Sequence, residues 1–479
     1  MSIKTSVASS KRKPGTYHEF DPYSAARGLV PVTNRVLFVA AKTSSGTGTN
    51  GVIYQCFVES DADTYWGVGS ELALMVRWAF KAAARYGSSP EIFGISIADP
   101  AGTAGIRTLT VTGTATAAGD LVVKIDGRVI RAAVANGDAQ NTIAAALKAA
   151  IDAAQNVEPM GSTASVTTNV VSMTRRNTGV NGNDGRNVVV SAPTGVSVAL
   201  ASSVAGAGAY DITASLDLAV DRYYHAIAVA NHTSTDVSDL KAHIDDMGLP
   251  QTKKWVFGVL AETAGLSTAD TLGTTANYKE VCVINAENFP NTCGEIAAVL
   301  ATTLMAEEDP ALPFDFVELP LFLPADSDVP TDTEIETALA AGTTILSVND
   351  SHTAACIVRF VTTKTSQGSA AFENLLDVSN VKSLFWVAYQ VDQRWKIWQQ
   401  DPRNKKNTEG ARDRLRSVTL DTLRQAEQLE ILHHVDDHLG QLVCETDAVI
   451  PTRLNVGIPD SVVPNLHQLV GVHTLFVEA

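Results

Sequence analysis

Arg35-Val36-Leu37-Phe38-Val39-Ala40 is, after its arginine, an unbroken apolar run of the length of one strand. A strand covered on both faces needs such a run, because side chains above and below the pleat must both meet apolar neighbours. The chain that follows decides what covers it. A second strand-like run occupies residues 52–58. Ser70, a residue type that satisfies free N–H groups at a helix start, then precedes Leu72, Met75, Val76, Ala79, Phe80 and Ala83 at helical spacing, and Gly87 stops the pattern. Residues 91–98 are again a buried strand, and the rhythm resumes after residue 210. There, strands are predicted over 223–230, 255–260 and 280–284 and helices over 234–247 and 293–305. Strands alternating with helices imply a mostly parallel, helix-covered sheet.

Between those stretches, from about Gly102 to Ala209, the composition shifts to Thr, Ser, Ala, Val and Gly. Strands are expected over 107–113, 121–125 and 129–134, with Asp126-Gly127 as a hairpin turn, one Ala-rich helix over 142–154, and strand-like runs over 165–173 and 187–191. Gly-rich hinges at 101–105 and 205–208 bracket the block. The reading is a β-rich α+β domain, 102–210, inserted into a discontinuous α/β domain formed by 30–101 and 211–333. After a Pro- and acid-rich connector, 310–333, a separate C-terminal α+β domain is expected over 334–479. It would hold a hairpin of 343–348 with 355–361 and a helix with Val381, Leu384, Phe385, Ala388, Val391, Trp395 and Trp398 on one face. A second helix is outlined by Leu415, Val418, Leu423, Ala426, Leu429, Leu432, Val435 and Leu439 and stopped near Gly440. The fold class is α/β plus α+β, multidomain, with extended arms.

The arms are residues 1–29 and the last few residues. Each contains a short strand with no evident partner: Tyr17, His18, Glu19 and Phe20 at one end, and Thr474, Leu475, Phe476 and Val477 at the other. Unpaired backbone groups on such a strand seek a sheet edge, and another copy of the chain can supply one.

Of the 479 residues 45% are hydrophobic, a globular composition large enough for two to four domains. No apolar run reaches the roughly 18 residues of a membrane span, so no membrane insertion is expected and the chain is read as cytosolic. The net charge of −16 argues against a nucleic-acid partner. That charge is segregated: residues 211–350 carry 23 acids against five bases, whereas 394–416 carry eight bases against three acids. Arg403, Lys405, Lys406, Arg412, Arg414 and Arg416 are therefore a candidate electrostatic interface. The five cysteines are scattered and read as buried thiols.

No catalytic constellation stands out, and no cofactor or metal is expected. Gly46-Thr47-Gly48-Thr49-Asn50-Gly51 matches GxGxxG, but a strand follows where a dinucleotide site needs a helix, and Glu59, Asp61 and Asp63 come too early for the ribose. The loop reads as a flexible hairpin; a nucleotide- or dinucleotide-dependent enzyme using it is the alternative function. His433, His434 and His438 read as a solvated helix end, and the acids at 307–309 and 326–332 lack calcium-loop spacing. Trp386, off the apolar stripe, is a candidate to face a partner.

The order of these segments resembles the tail sheath protein of Mu-like contractile-tailed bacteriophages. Carriers of the resemblance are Pro14-Gly15-Thr16-Tyr17-His18-Glu19-Phe20, the strand at Asn34 to Ala40, Gly119-Asp120-Leu121-Val122-Val123, and Ala341-Gly342-Thr343-Thr344-Ile345 leading to Ile357-Val358-Arg359-Phe360-Val361-Thr362-Thr363. The resemblance implies a structural subunit of the virion, assembled in the host cytoplasm into stacked hexameric rings around a tail tube. It implies as partners other copies of the chain, the tube protein, and baseplate and tail terminator proteins. Arms would exchange strands between C-terminal domains of neighbours, the inserted domain would lie outside, and contraction would drive the tube through the host envelope without a nucleotide.

Overall fold

The computed structural model describes residues 33–467 of the chain. They form two compact units, one of Thr33–Phe385 with the segment from Val462, the other of Trp386–Ser461. The predicted arm strands, Tyr17 to Phe20 and Thr474 to Val477, lie outside the described residues.

In the larger unit, β1 (Arg35–Ala41) is buried at every position after Arg35. β2 (Ile53–Cys56) does not pair with it, so the Gly46–Gly51 loop is no hairpin loop. It folds instead onto the end of α1 (Glu59–Trp66), a helix the sequence did not reveal: Gly48 N donates to Tyr65 O at 2.7 Å, and a Cβ on Gly46 would sit 2.4 Å from the Trp66 backbone. The glycines serve close backbone approach. α2 (Glu71–Tyr86) starts where Ser70 Oγ accepts from Ala73 N and ends at Gly87, whose φ of 80° lies in the left-handed region that favours glycine. β3 (Glu91–Ile97) lies between β1, parallel, and β2, antiparallel.

Residues beyond β3 build two antiparallel sheets. One is made of β4 (Ile106–Gly113), β7 (Ser162–Thr167), β8 (Val170–Arg175) and β10 (Val196–Val204), the other of β5 (Gly119–Ile125), β6 (Arg128–Val134) and β9 (Asn187–Ser191). α3 (Gln140–Val157) buries Ile143, Ala144, Leu147 and Ile151, one stripe at helical spacing, in a core shared with Leu109, Leu121, Ile130 and Val171. Asp126 (φ 46°) and Gly127 (φ 81°) form the expected tight turn between β5 and β6. The single run predicted over 165–173 is two strands, turned at Thr168 (φ 52°). The bracketing Gly-rich segments are zipped together rather than free: Thr103 and Ala207 exchange two backbone hydrogen bonds of 3.0 Å, and a Cβ on Gly102 would lie 1.8 Å from Ala207 O.

The parallel sheet then resumes. α4 (Thr213–Asp217), β11 (Ala226–Val229), α5 (Ser234–Met247), β12 (Phe257–Glu262), α6 (Leu266–Ala276), β13 (Val281–Asn285), α7 (Cys293–Ala306), β14 (Glu318–Leu319), α8 (Asp332–Ala340), β15 (Thr343–Val348) and β16 (Ala355–Ile357) follow in order. The nine strands run β14-β16-β15-β13-β12-β11-β1-β3-β2. One face of the sheet packs on α2 and α7, the other on α4, α5 and α6. Every residue of α7 is buried. The expected domain start at 334 is corrected: β15 pairs in parallel with β13, Val283 opposite Thr343, so the sheet and its core continue past the connector. The Pro- and acid-rich stretch 310–333 is no domain end: it supplies β14 and buries Phe314, Leu319 and Leu321 in the core of the sheet. The expected hairpin of 343–348 with the following strand forms, at the margin of this sheet. A short pair, β17 (Ser366–Gln367) and β18 (Ala370–Ala371), precedes α9.

α9 (Val378–Gln400) spans the division between units. Within the smaller unit, Trp395 Nε1 donates to Thr419 Oγ1 at 2.9 Å, tying it to α10 (Glu409–Gln428). α10 ends well before Gly440, because Glu430 takes φ 60° and breaks the helix. Leu432 and Val435 are buried but lie beyond the end of α10, so their helical spacing is incidental. β19 (Val443–Thr446) and β20 (Leu454–Gly457) close the unit.

Candidate functional site

β19 and β20 form a ladder of two strands only, from Val443 opposite Gly457 to Thr446 opposite Leu454. Among the described residues nothing pairs with either outer edge. A lone hairpin is marginal in water, and here one carboxylate braces it. Asp447 accepts from Val449 N (2.9 Å), Ile450 N (2.8 Å), Arg453 Nε (2.9 Å) and Asn455 Nδ2 (3.0 Å). Hydrogen bonds from Asn455, then Arg453 and the two backbone amides, hold its carboxyl well below the usual range. The braced turn presents Val449, 86% exposed, beside Ile450. A preordered strand pair with open edges is what an incoming strand needs. Strand order within this unit was not legible in the sequence, because four-residue strands with half-exposed faces carry little periodicity.

The predicted basic interface is split by the structure. Arg416 donates to Leu442 O (3.0 Å) and Leu439 O (3.2 Å), holding the turn that leads into β19. Arg414 bonds Asn404 Oδ1 (2.7 Å) and Arg403 O, and Arg412 bonds Asn407 Oδ1 and Thr446 Oγ1, both at 3.2 Å. Those three arginines shape their own unit. Arg403 is exposed and paired with Asp401, whose carboxyl its hydrogen bonds draw down to about 2. Lys405 and Lys406 are exposed and make no side-chain bond among the described residues, so they and Arg403 are the positive charges most available to a partner.

The acidic stretch is likewise not one face. Asp236, Glu262, Glu280 and Glu295 are buried, and Asp236, Glu295 and Glu334 serve as helix caps, whereas Asp245, Asp246, Glu308 and Asp309 face solvent. His434 stands at φ 54°, outside any helix, with Nδ1 3.1 Å from Asp437 Oδ2, so it does not share a helical face with His438. The loop at Gly46–Gly51 leads into β2 rather than a helix and offers no helix N-terminus to a pyrophosphate. Trp386 is half-buried. No helix among the described residues is long and apolar enough to cross a membrane.

Residues 205–363 match the family model for the phage tail sheath protein central domain. That span covers the sheet from before β11 through β16. Over nearly the whole chain, the sequence is 26% identical to the Mu-like prophage FluMu tail sheath protein of Haemophilus influenzae, covering 95% of this chain and 96% of that one. The fold is similar to the crystal structures of the sheath tail proteins of Desulfitobacterium hafniense and Listeria innocua. The first has TM-score 0.51 at 14% identity and covers 90% of this chain and 94% of the other. The second has TM-score 0.52 at 14% identity, with 92% and 94% covered. Residues 205–363 are thus similar to the central domain of phage tail sheath proteins, and the chain over nearly its full length is similar to the Mu-like prophage FluMu tail sheath protein.

Proposed function

We propose that this chain is a structural subunit of a contractile phage tail sheath. It polymerises in stacked hexameric rings around a tail tube and contracts to drive the tube through the host envelope. Its partners are other copies of itself, the tube protein, and the baseplate and terminator proteins at the two ends of the tail. Assembly takes place in the host cytoplasm and the product is part of the virion.

The observation that supports the assembly mode is the braced β19–β20 pair, whose outer edges pair with nothing among the described residues. The strands expected from the sequence at Tyr17, His18, Glu19 and Phe20 and at Thr474, Leu475, Phe476 and Val477 would have the length to extend that ladder in a neighbour. At roughly 1 kcal/mol net per hydrogen bond, one added four-residue strand contributes only a few kcal/mol. A single arm therefore exchanges readily, while many arms along one polymer hold it together. Arg403, Lys405 and Lys406 offer charge to a second contact, either the acidic surface of a neighbour or the tube.

Electron microscopy of the expressed full chain tests the reading, with hollow striated cylinders expected. Deleting residues 1–20 should leave a soluble, folded subunit that forms no cylinders. Normal cylinders from the deletion variant would remove strand exchange from the proposal, and the absence of any polymer from the full chain would remove the sheath role.

A further inference from the structure

Asp184 lies between β8 and β9, His232 follows β11, Glu262 ends β12, and Cys293 opens α7. These four side chains, distant in sequence, meet at the C-terminal ends of the parallel strands. Strand order reverses there: β1 leads outward to β3, while β11 leads the other way to β12, β13 and β15. Such a reversal opens a crevice in an α/β sheet. Here the segment carrying Asp184 crosses it.

One donor atom from each of Asp184, His232 and Cys293 lies within 4.8 Å of the others. His232 Nε2 is 3.6 Å from Asp184 Oδ1 and 4.0 Å from Glu262 Oε2. A tetrahedral zinc ion with bonds of about 2.0–2.3 Å spaces its ligands roughly 3.3–3.7 Å apart, so small side-chain shifts would complete the geometry. The histidine is oriented for it. His232 Nδ1 is 3.2 Å from Ala230 O, an atom that can only accept, so Nδ1 carries the proton and Nε2 is turned toward the cluster. Cys293 N donates to Asp184 Oδ2 at 3.4 Å, and Thr263 Oγ1 lies 3.4 Å from Cys293 Sγ. Cys293 is fully buried and Asp184 is 7% exposed, yet a cleft of about 460 Å³ lined by Asp184, His232, Glu262 and Thr263 gives access from solvent.

We propose that Asp184, His232 and Cys293, with Glu262 as fourth ligand, bind a divalent zinc-type cation that fastens the inserted sheets to the α/β sheet. Thiolate, imidazole and carboxylate together select a borderline transition ion over calcium or magnesium. A bond from Asp184 to an ion held by His232, Glu262 and Cys293 links the insertion to the ends of β11 and β12 and to the start of α7 at once. Nothing in this role depends on polymerisation, so it stands or falls separately from the sheath reading.

The full chain, purified untagged and without chelator, is expected to contain about one zinc per chain by elemental analysis. After stripping, one equivalent of Co²⁺ should give a thiolate-to-cobalt charge-transfer band. Cys293→Ser should abolish the band and Asp184→Asn should weaken cobalt binding at least tenfold, while Cys282→Ser, a buried thiol in β13, should leave both unchanged. A metal-free chain that shows no thiolate band with Co²⁺ overturns the proposal, and this wild-type measurement holds even if a variant fails to fold. Unchanged zinc content in a folded Cys293→Ser chain also overturns it.

Discussion

Arg175 clasps Asp126 through two parallel hydrogen bonds, Nη1 to Oδ2 at 2.6 Å and Nη2 to Oδ1 at 3.2 Å, with both side chains buried. Asp126 occupies a left-handed position of the β5–β6 turn and Arg175 ends β8, so the pair ties the two inserted sheets together. Arg175→Met should cost about 2–3 kcal/mol, because the buried Asp126 carboxylate loses its two-bond partner and keeps only Arg107, 3.6 Å away. The double variant with Asp126→Asn should be less destabilised than the two single costs summed. Urea denaturation of the unpolymerised chain measures both, and a loss below about 1 kcal/mol for Arg175→Met would contradict the assignment.

Glu71 opens α2 where the zipped connectors meet the sheet, accepting from Asn181 Nδ2 (3.2 Å) and Tyr210 OH (3.3 Å). Burial raises its carboxyl to about 7, outweighing the Asn181 hydrogen bond. A raised folded value means the native state binds the proton more tightly than the unfolded chain. The stabilisation is full below the unfolded value of about 4.3 and is lost as pH rises through 7. Glu71→Gln keeps the shape and should flatten the stability profile between about pH 4 and 7. An unchanged slope in that window would show that Glu71 stays ionised.

Substitution within the basic segment should separate folding from assembly. Arg416→Ala removes the donor to Leu439 O and Leu442 O and should lower stability by about 1–2 kcal/mol. Charge reversal at Lys405 and Lys406, which hold nothing among the described residues, should change stability by less than about 0.5 kcal/mol yet alter polymer yield or its salt dependence. Light scattering against ionic strength reads the second effect; identical curves for the reversed and native chains would exclude these lysines from any contact.

The neck of the insertion depends on one missing methyl. Gly102→Ala would place Cβ 1.8 Å from Ala207 O, and backbone must move to relieve it. Limited proteolysis should then cut near residues 101–105 or 205–208 at least several-fold faster, with the inserted sheets surviving as a fragment. Equal cleavage rates would show that the two connectors separate freely in the native chain.

Capped, strongly periodic helices were read to within a few residues. Ser70 and Gly87 bound α2, and 234–247 is α5, because a cap and a stop are local chemistry that no distant contact needs to decide. α1, α6 and α8 were not seen: they are short, polar on much of their surface, and lie in stretches that read as strand, loop or connector. β10 alternates Val196, Val198 and Leu200 with Ser197, Ala199 and Ala201, but small Ala and Ser residues over the rest of the strand, and a mostly exposed surface, weaken the pattern. For the candidate assembly surfaces, the sequence showed where positive charge is dense, but not that Arg412, Arg414 and Arg416 are engaged within their own unit. Hydrogen bonding to carbonyls and to Asn and Thr side chains elsewhere in the chain leaves no mark on composition.

What the sequence alone determined is the α/β alternation around Arg35 to Ala40, the β-rich interruption after Gly102, and the order of segments shared with tail sheath proteins. Hydrophobic period and capping residues act over a few positions, and a linear reading captures them. Tertiary structure alone decided that β15 rejoins the sheet beside β13, that the Gly-rich connectors are zipped rather than loose, and that Asp184, His232, Glu262 and Cys293 converge. Those outcomes depend on which strand ends lie side by side. Pairing between strands is set by the burial of the whole core, which no single stretch of the chain encodes.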